Sequence, residues 1–136
     1  MIAVPAVDLR GGRCVQLVGG RPTDERVSLP DPASVAQRWW DMGFNSLHVV
    51  DLDAALDAGD NARVVAEVLA ASPPDTQVGG GVRTRDRVET LLTLGASRVV
   101  VGTRAVDDRA WLERLAHTYP DRMVVAADVR GGTVLR

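Results

Sequence analysis

Ala6-Val7-Asp8-Leu9-Arg10-Gly11-Gly12 returns near the C-terminal end of the sequence as Ala126-Ala127-Asp128-Val129-Arg130-Gly131-Gly132. In each copy an apolar run with the character of a buried strand reaches one aspartate, and an arginine and two glycines then turn the chain away. Each carboxylate is expected at the C-terminal lip of a strand. The copies lie about 120 residues apart, room for four strand-plus-helix units of roughly 30 residues. This spacing predicts a (β/α) barrel built by duplication and represented here to just past its midpoint.

Working outward, the first strand is expected over Ile2 to Asp8, with Arg13 to Val18 as a short extension and Gly19 to Pro30 as a long polar lid or binding loop. Asp31-Pro32 opens a helix that Gly43 closes. A second strand, Ser46 to Asp51, leads into an acidic loop and a helix from Ala62 to Ala71 with Asn61 as its cap. Thr76 to Val78 is a third strand running into Gly79-Gly80-Gly81, and Thr84 caps the next helix. Arg98 to Val101 is the fourth strand, ending at Gly102-Thr103. A helix beginning near Asp107 or Asp108 buries Trp111, Leu112 and Leu115, and Met123 to Asp128 is the fifth strand. The first strand, apolar except at its tip, is expected to be covered on both faces.

Strict alternation predicts parallel strands and right-handed crossovers. A doubly wound open sheet would satisfy the same rule. The repeat at a four-unit spacing favours the barrel, as does the gathering of glycines and acids at strand C-termini. The fold class read here is therefore α/β, of the (β/α)8 TIM-barrel type. At 136 residues it is a truncated half-barrel of about five parallel strands and four helices, forming a single incomplete domain over 1–136.

Composition narrows the chemistry. With 46% hydrophobic residues the chain can bury a core, and a formal charge of −2 without a basic face argues against nucleic acid or a membrane surface. All 16 basic residues are arginine, so these residues support no lysine Schiff base. Cys14, His48 and His117 are too few and too scattered for a metal site, so no metal is expected. The lone cysteine and the absence of an N-terminal basic-apolar leader point to the cytoplasm.

Asp8 and Asp128 would face each other across a closed barrel as an acid–base pair, one protonated and one ionised. The plainer alternative is that each caps a turn or pairs with Arg10 or Arg130. Gly79, Gly80 and Gly81, with Gly102 and Thr103, offer side-chain-free backbone and a hydroxyl for a phosphate. Arg83 and Arg104 stand near enough in sequence to add charge. His48 is either a substrate contact or a satisfied lip residue, and Asp51 could orient it or bind a sugar hydroxyl. Asp53, Asp57 and Asp60 read as loop and capping carboxylates.

Together these stretches resemble one family, the ProFAR isomerases of histidine biosynthesis, which act on a phosphoribosylformimino-aminoimidazole carboxamide ribotide. The resemblance runs through Pro5 to Val15, Leu47 to Asp53, Gln77 to Arg83 and Arg98 to Thr103. It implies an Amadori rearrangement of an aminoaldose to an aminoketose in a bisphosphorylated small molecule, without a cofactor. It also implies that Asp128 is the general acid opening the ribose ring, that Asp8 is the base taking the C2 proton, and that Gly81, Gly102 and Thr103 hold one phosphate. Asp53-Ala54-Ala55 and its acidic loop also resemble bifunctional isomerases that serve tryptophan synthesis. The sister cyclase of the pathway normally carries a lysine where Arg13-Cys14-Val15-Gln16 stands.

The family's second half, with its second phosphate site, has no counterpart in these residues. Little turnover is expected from the chain alone. Self-association through unfinished barrel edges, giving a half-barrel that binds phosphorylated ligands without turnover, is the expectation from a different class.

Overall fold

The computed structural model describes residues 1–17 and 25–135. Strand β1 (Ala6–Arg10) turns through Gly11-Gly12 into β2 (Arg13–Leu17), which pairs with β3 (Glu25–Leu29). Then follow α1 (Pro32–Asp41), β4 (Ser46–Asp51), α2 (Leu52–Ala55), α3 (Ala62–Ala71), β5 (Asp75–Gly79) and α4 (Arg85–Thr93). The order continues with β6 (Arg98–Val101), α5 (Thr103–Asp107), α6 (Arg109–Thr118), β7 (Met123–Val125), β8 (Val129–Arg130) and β9 (Thr133–Val134).

The main sheet runs β3-β2-β1-β4-β5-β6-β7, in which β1, β4, β5, β6 and β7 are parallel and β2 and β3 form an antiparallel flank. The parallel strands add in chain order and never reverse. That excludes the switch point of a doubly wound sheet and leaves the open half of a barrel; the sheet is not closed.

Right-handed crossovers that always step in one direction put their helices on one face. Alternation along the strands shows the result. Val7, Leu9, Leu47, Val49, Val78, Val99 and Val101 are all but inaccessible, packed with Val65, Val68, Val88, Leu91 and Trp111 from the helices. Their alternate neighbours Asp8, His48, Val50, Gln77 and Val100 are only partly buried on the opposite face. The expectation of cover on both faces is thus corrected, since no further strands stand across from the concave side among the described residues.

Several expected boundaries move. Ile2 lies outside any strand and is exposed, and the polar stretch after Leu17 is not one loop, because Glu25–Leu29 pairs antiparallel with β2. The lid expected over Gly19 to Pro30 otherwise falls mostly outside the described residues. The acidic loop contains the short helix α2, and α5 precedes α6, so the helices exceed the four expected. The fifth strand stops at Val125 instead of reaching Asp128. Asp31, Thr84 and Asp108 accept hydrogen bonds from backbone N–H groups at the starts of α1, α4 and α6. Asn61 stands at the start of α3, but its side chain makes no such bond.

Both glycine pairs form hairpin turns. Gly11 and Gly12 have φ of 55° and 73°, and Gly131 and Gly132 have φ of 58° and 79°. Two consecutive positive φ values define the turn that best matches strand twist. The registers match as well: Leu9 opposes Cys14 and Arg10 opposes Arg13, as Val129 opposes Val134 and Arg130 opposes Thr133. The sequence repeat is therefore a structural repeat of a hairpin. The two differ in what lies before them, since β1 is flanked by β4 while β7 ends the sheet.

Candidate active site at the C-terminal ends of the parallel strands

A cleft of about 410 Å3 opens on the concave face, lined by His48, Val50, Gly79 to Arg83, Val100, Gly102, Thr103, Arg104 and Asp128, with Ala55 and Ala126 at its rim. A larger hollow between α4 and α6, about 530 Å3, contains none of the motif residues. The cleft thus brings together nine of the eleven residues singled out from sequence: His48, Gly79, Gly80, Gly81, Arg83, Gly102, Thr103, Arg104 and Asp128. Asp8 and Asp51 do not line it.

The glycines have distinct local reasons. Gly80 (φ 106°) lies so close to the Asp51 backbone that a Cβ would collide with the carbonyl oxygen, and Gly81 (φ 64°) lies similarly against Ala54. These approaches lock the turn after β5 onto the turn after β4. Apart from Gly102 and its two chain neighbours, no atom lies within 4 Å of where a Cβ there would stand. Packing does not demand glycine there, and its absent side chain leaves the mouth of the cleft open beside the Thr103 hydroxyl. The first turn of α5 leaves backbone N–H groups without intrahelical acceptors.

The two arginines are tethered. Arg83 pairs with Asp57 at 3.1 Å and approaches the Ala54 carbonyl at 3.4 Å. Arg104 donates to the Arg83 carbonyl at 2.9 Å and lies over the Trp111 ring, 4.8 Å from its centroid.

Asp8 belongs to the same concave face. It pairs in register with Val50, which pairs with Gly79, so it stands level with the C-terminal ends of β4 and β5 although the hairpin prolongs its own strand. Burial raises its pKa, and the charge of nearby His48 partly offsets that rise. His48 is pushed the other way, its pKa lowered by burial against the pull of Asp8. Its Nδ1 lies 2.8 Å from Gln77 Nε2. Gln77, not Asp51, therefore orients His48.

Asp51 points to the helical side and is inaccessible. One carboxylate oxygen accepts from Ala54 N–H and Asn61 Nδ2, and the other accepts from Asn61 N–H at 2.7 Å. Asn61 Nδ2 also reaches Asp53, while Asn61 Oδ1 accepts from Gly12 N–H at 2.8 Å and Asp53 accepts from Gly11 N–H at 2.7 Å. This clamp fastens the turn after Asp8 to the segment after β4. Sequence reasoning read Asn61 only as a helix cap; the pairing of a Gly-Gly turn with an Asp-x-Asp segment carried no signal at a separation of about 50 residues.

Residues 2–136 match the family model described as histidine biosynthesis protein. The chain belongs to that family. Among its curated relatives is a protein of Gemmatimonas aurantiaca, 55% identical over 130 residues, which cover 96% of this chain and 55% of that protein. One of Myxococcus xanthus is 52% identical over 136 residues, 99% of this chain and 57% of that protein, and one of Methanothrix thermoacetophila is 49% identical over 132 residues, 96% and 54%. All three are named as isomerases of a doubly phosphoribosylated imidazole-4-carboxamide. The chain spans little more than half the length of these histidine-biosynthesis relatives.

Proposed function

We propose that this chain carries the first half of an aldose–ketose isomerase site for a bisphosphorylated aminoribosyl substrate of histidine biosynthesis. The observation that carries the reading is the cleft in which Gly79 to Gly81, Gly102 and Thr103 surround open space beside His48 and Asp128. Backbone N–H groups and the Thr103 hydroxyl there suit one phosphate. To Asp128, exposed and lining the cleft, this reading assigns protonation of the ribose ring oxygen as the ring opens. Asp8 then removes the C2 proton, and the resulting enolamine tautomerises to the aminoketose. A raised carboxyl pKa makes Asp8 a stronger base than an ordinary aspartate, which serves that step.

The pairing of the two aspartates has support in strand register. The pairings lead from Asp8 through Val50 to Gly79; continuing the Val78–Val99 register of β5 and β6 by one residue reaches Val100 and then Val124, four residues short of Asp128. A barrel of shear 8 over eight strands rises one residue per strand. Over the four steps from β1 to β7 that rise equals the four-residue offset, so in a closed barrel whose β7 ran on to Asp128 the two aspartates would stand at one height.

The test combines the 136-residue chain with a complement, the C-terminal portion of the Gemmatimonas aurantiaca relative, and assays turnover of that relative's substrate. The chain alone is expected to be nearly inactive and the mixture active, with Asp8→Asn and Asp128→Asn each lowering the mixed rate by about 10²–10⁴-fold. Full activity in either variant would sink the reading. The open concave face and the edge of β7 favour a second reading, a self-associating half-barrel that binds phosphate without turnover. A stable dimer that binds phosphate and gains no activity from the complement would select it. A phosphorylated small molecule is the partner in both readings. The cytoplasm is the compartment this chemistry fits, and among the described residues no helix is long and apolar enough to cross a membrane.

A further inference from the structure

His48 and Gln77 stand in register on neighbouring parallel strands and share the concave face. The 2.8 Å contact joins an amide nitrogen to Nδ1 of the ring. An amide nitrogen only donates, so Nδ1 must supply its lone pair, and the single proton of the neutral ring then resides on Nε2. We infer that Gln77 is a positioning residue that fixes His48 in the Nε2–H tautomer, so that the ring presents a hydrogen-bond donor, and no acceptor, to the cleft.

Three observations bear on it. His48 lines the cleft, and among the described residues its Nε2 has no protein partner. No buried side-chain nitrogen or oxygen among those residues is left unsatisfied, so an unpartnered Nε2 is one that solvent or a ligand reaches. Burial also disfavours the imidazolium, while Asp8 is the charged group facing the ring and pulls the other way. A neutral ring locked as a donor cannot accept a proton at Nε2. His48 is thereby assigned to gripping oxygen atoms of a ligand, leaving proton transfer to carboxylates. What the ring donates to rests on the reading of the cleft as a site for a phosphorylated sugar; the tautomer does not.

The chain has two histidines, so a His117→Gln background leaves one imidazole for ¹⁵N NMR. In that protein the ring is expected to show an unprotonated Nδ1 and a protonated Nε2 at neutral pH. Gln77→Glu supplies an acceptor and should invert the pattern, whereas Gln77→Leu should give a mixture of both tautomers. A protonated Nδ1 in the parent, or a parent-like pattern in both variants, overturns the inference. The parent spectrum can overturn the inference even if one variant fails to fold, and the remaining variant then reads the effect of Gln77. Titration with inorganic phosphate separates the two readings. A phosphate-dependent shift at Nε2 supports the donor role in the cleft, and its absence with the tautomer intact removes the phosphate reading while leaving the positioning by Gln77 in place.

Discussion

His48 and Asp51 show how far single residues could be read from sequence. They are three apart on one strand, and side chains an odd number apart point to opposite faces. The concave face takes His48, while Asp51 turns inward and is used up on Asn61 and Ala54. A charged variant at Asn61 makes the clamp measurable. Asn61→Asp sets a third carboxylate against Asp51 and Asp53 and removes an amide donor, costing about 3 kcal/mol at neutral pH. Because the like charges raise the new group's pKa, the loss shrinks as pH falls; urea unfolding at pH 7 and at pH 5 should show the smaller difference at pH 5. Asp8 acts in the same sense. Its folded-state pKa is raised, so its contribution to stability is complete below the usual carboxylate value of 3.8 and declines as pH climbs through the raised value. Asp8→Asn removes that decline, and its melting temperature at pH 7 should exceed that of the parent even as any base function is lost.

Among the elements, the turns were the least legible and carry the site. Two apolar runs about a Gly-Gly pair are a hairpin signal, yet whether such a hairpin joins a sheet depends on its neighbours. β1–β2 is held by β4 and β3, whereas β8–β9 is an isolated pair of two-residue strands, and a lone hairpin is marginal in water. Amide exchange is therefore expected to be fast throughout β8–β9 and slowest in β4 and β5; protection of the Val129 and Val134 amides equal to that of Val49 would contradict this picture. The turn after β5 is fixed by steric contact. Gly80→Ala drives a methyl group into the Asp51 backbone at a positive φ, for an expected loss of about 2–4 kcal/mol by chemical denaturation. At the opposite end of the strands, the Ser46 hydroxyl above all, with the Ser97 hydroxyl and the Arg98 guanidinium, holds the Asp75 carboxyl below the usual range. That contribution is present above the unfolded value and lost as pH falls through the lowered one, so Asp75→Asn should flatten the acid limb of the stability profile.

For the whole molecule, the accessible surface of 8109 Å2 exceeds the roughly 6,900 Å2 expected of a compact monomer of this mass. The concave face and the exposed Val125, Val129, Val134 and Leu135 near the last strands belong to that surface. Covering it should stabilise the chain, so addition of the complement from a relative is expected to raise the melting temperature with a dependence on its concentration. By itself the sequence determined the α/β alternation, the bounds of Ser46–Asp51 and Arg98–Val101, the helix starts at Asp31 and Thr84, and the family. Periodicity, capping side chains and glycine clusters are local signals, readable from residues a few positions apart. Tertiary structure alone decided that one sheet face stays open, that Asp51 is spent on Asn61, that Gln77 orients His48, and that the two hairpins part company. Each depends on which strands lie side by side, a matter of long-range register and packing that no short window of sequence contains.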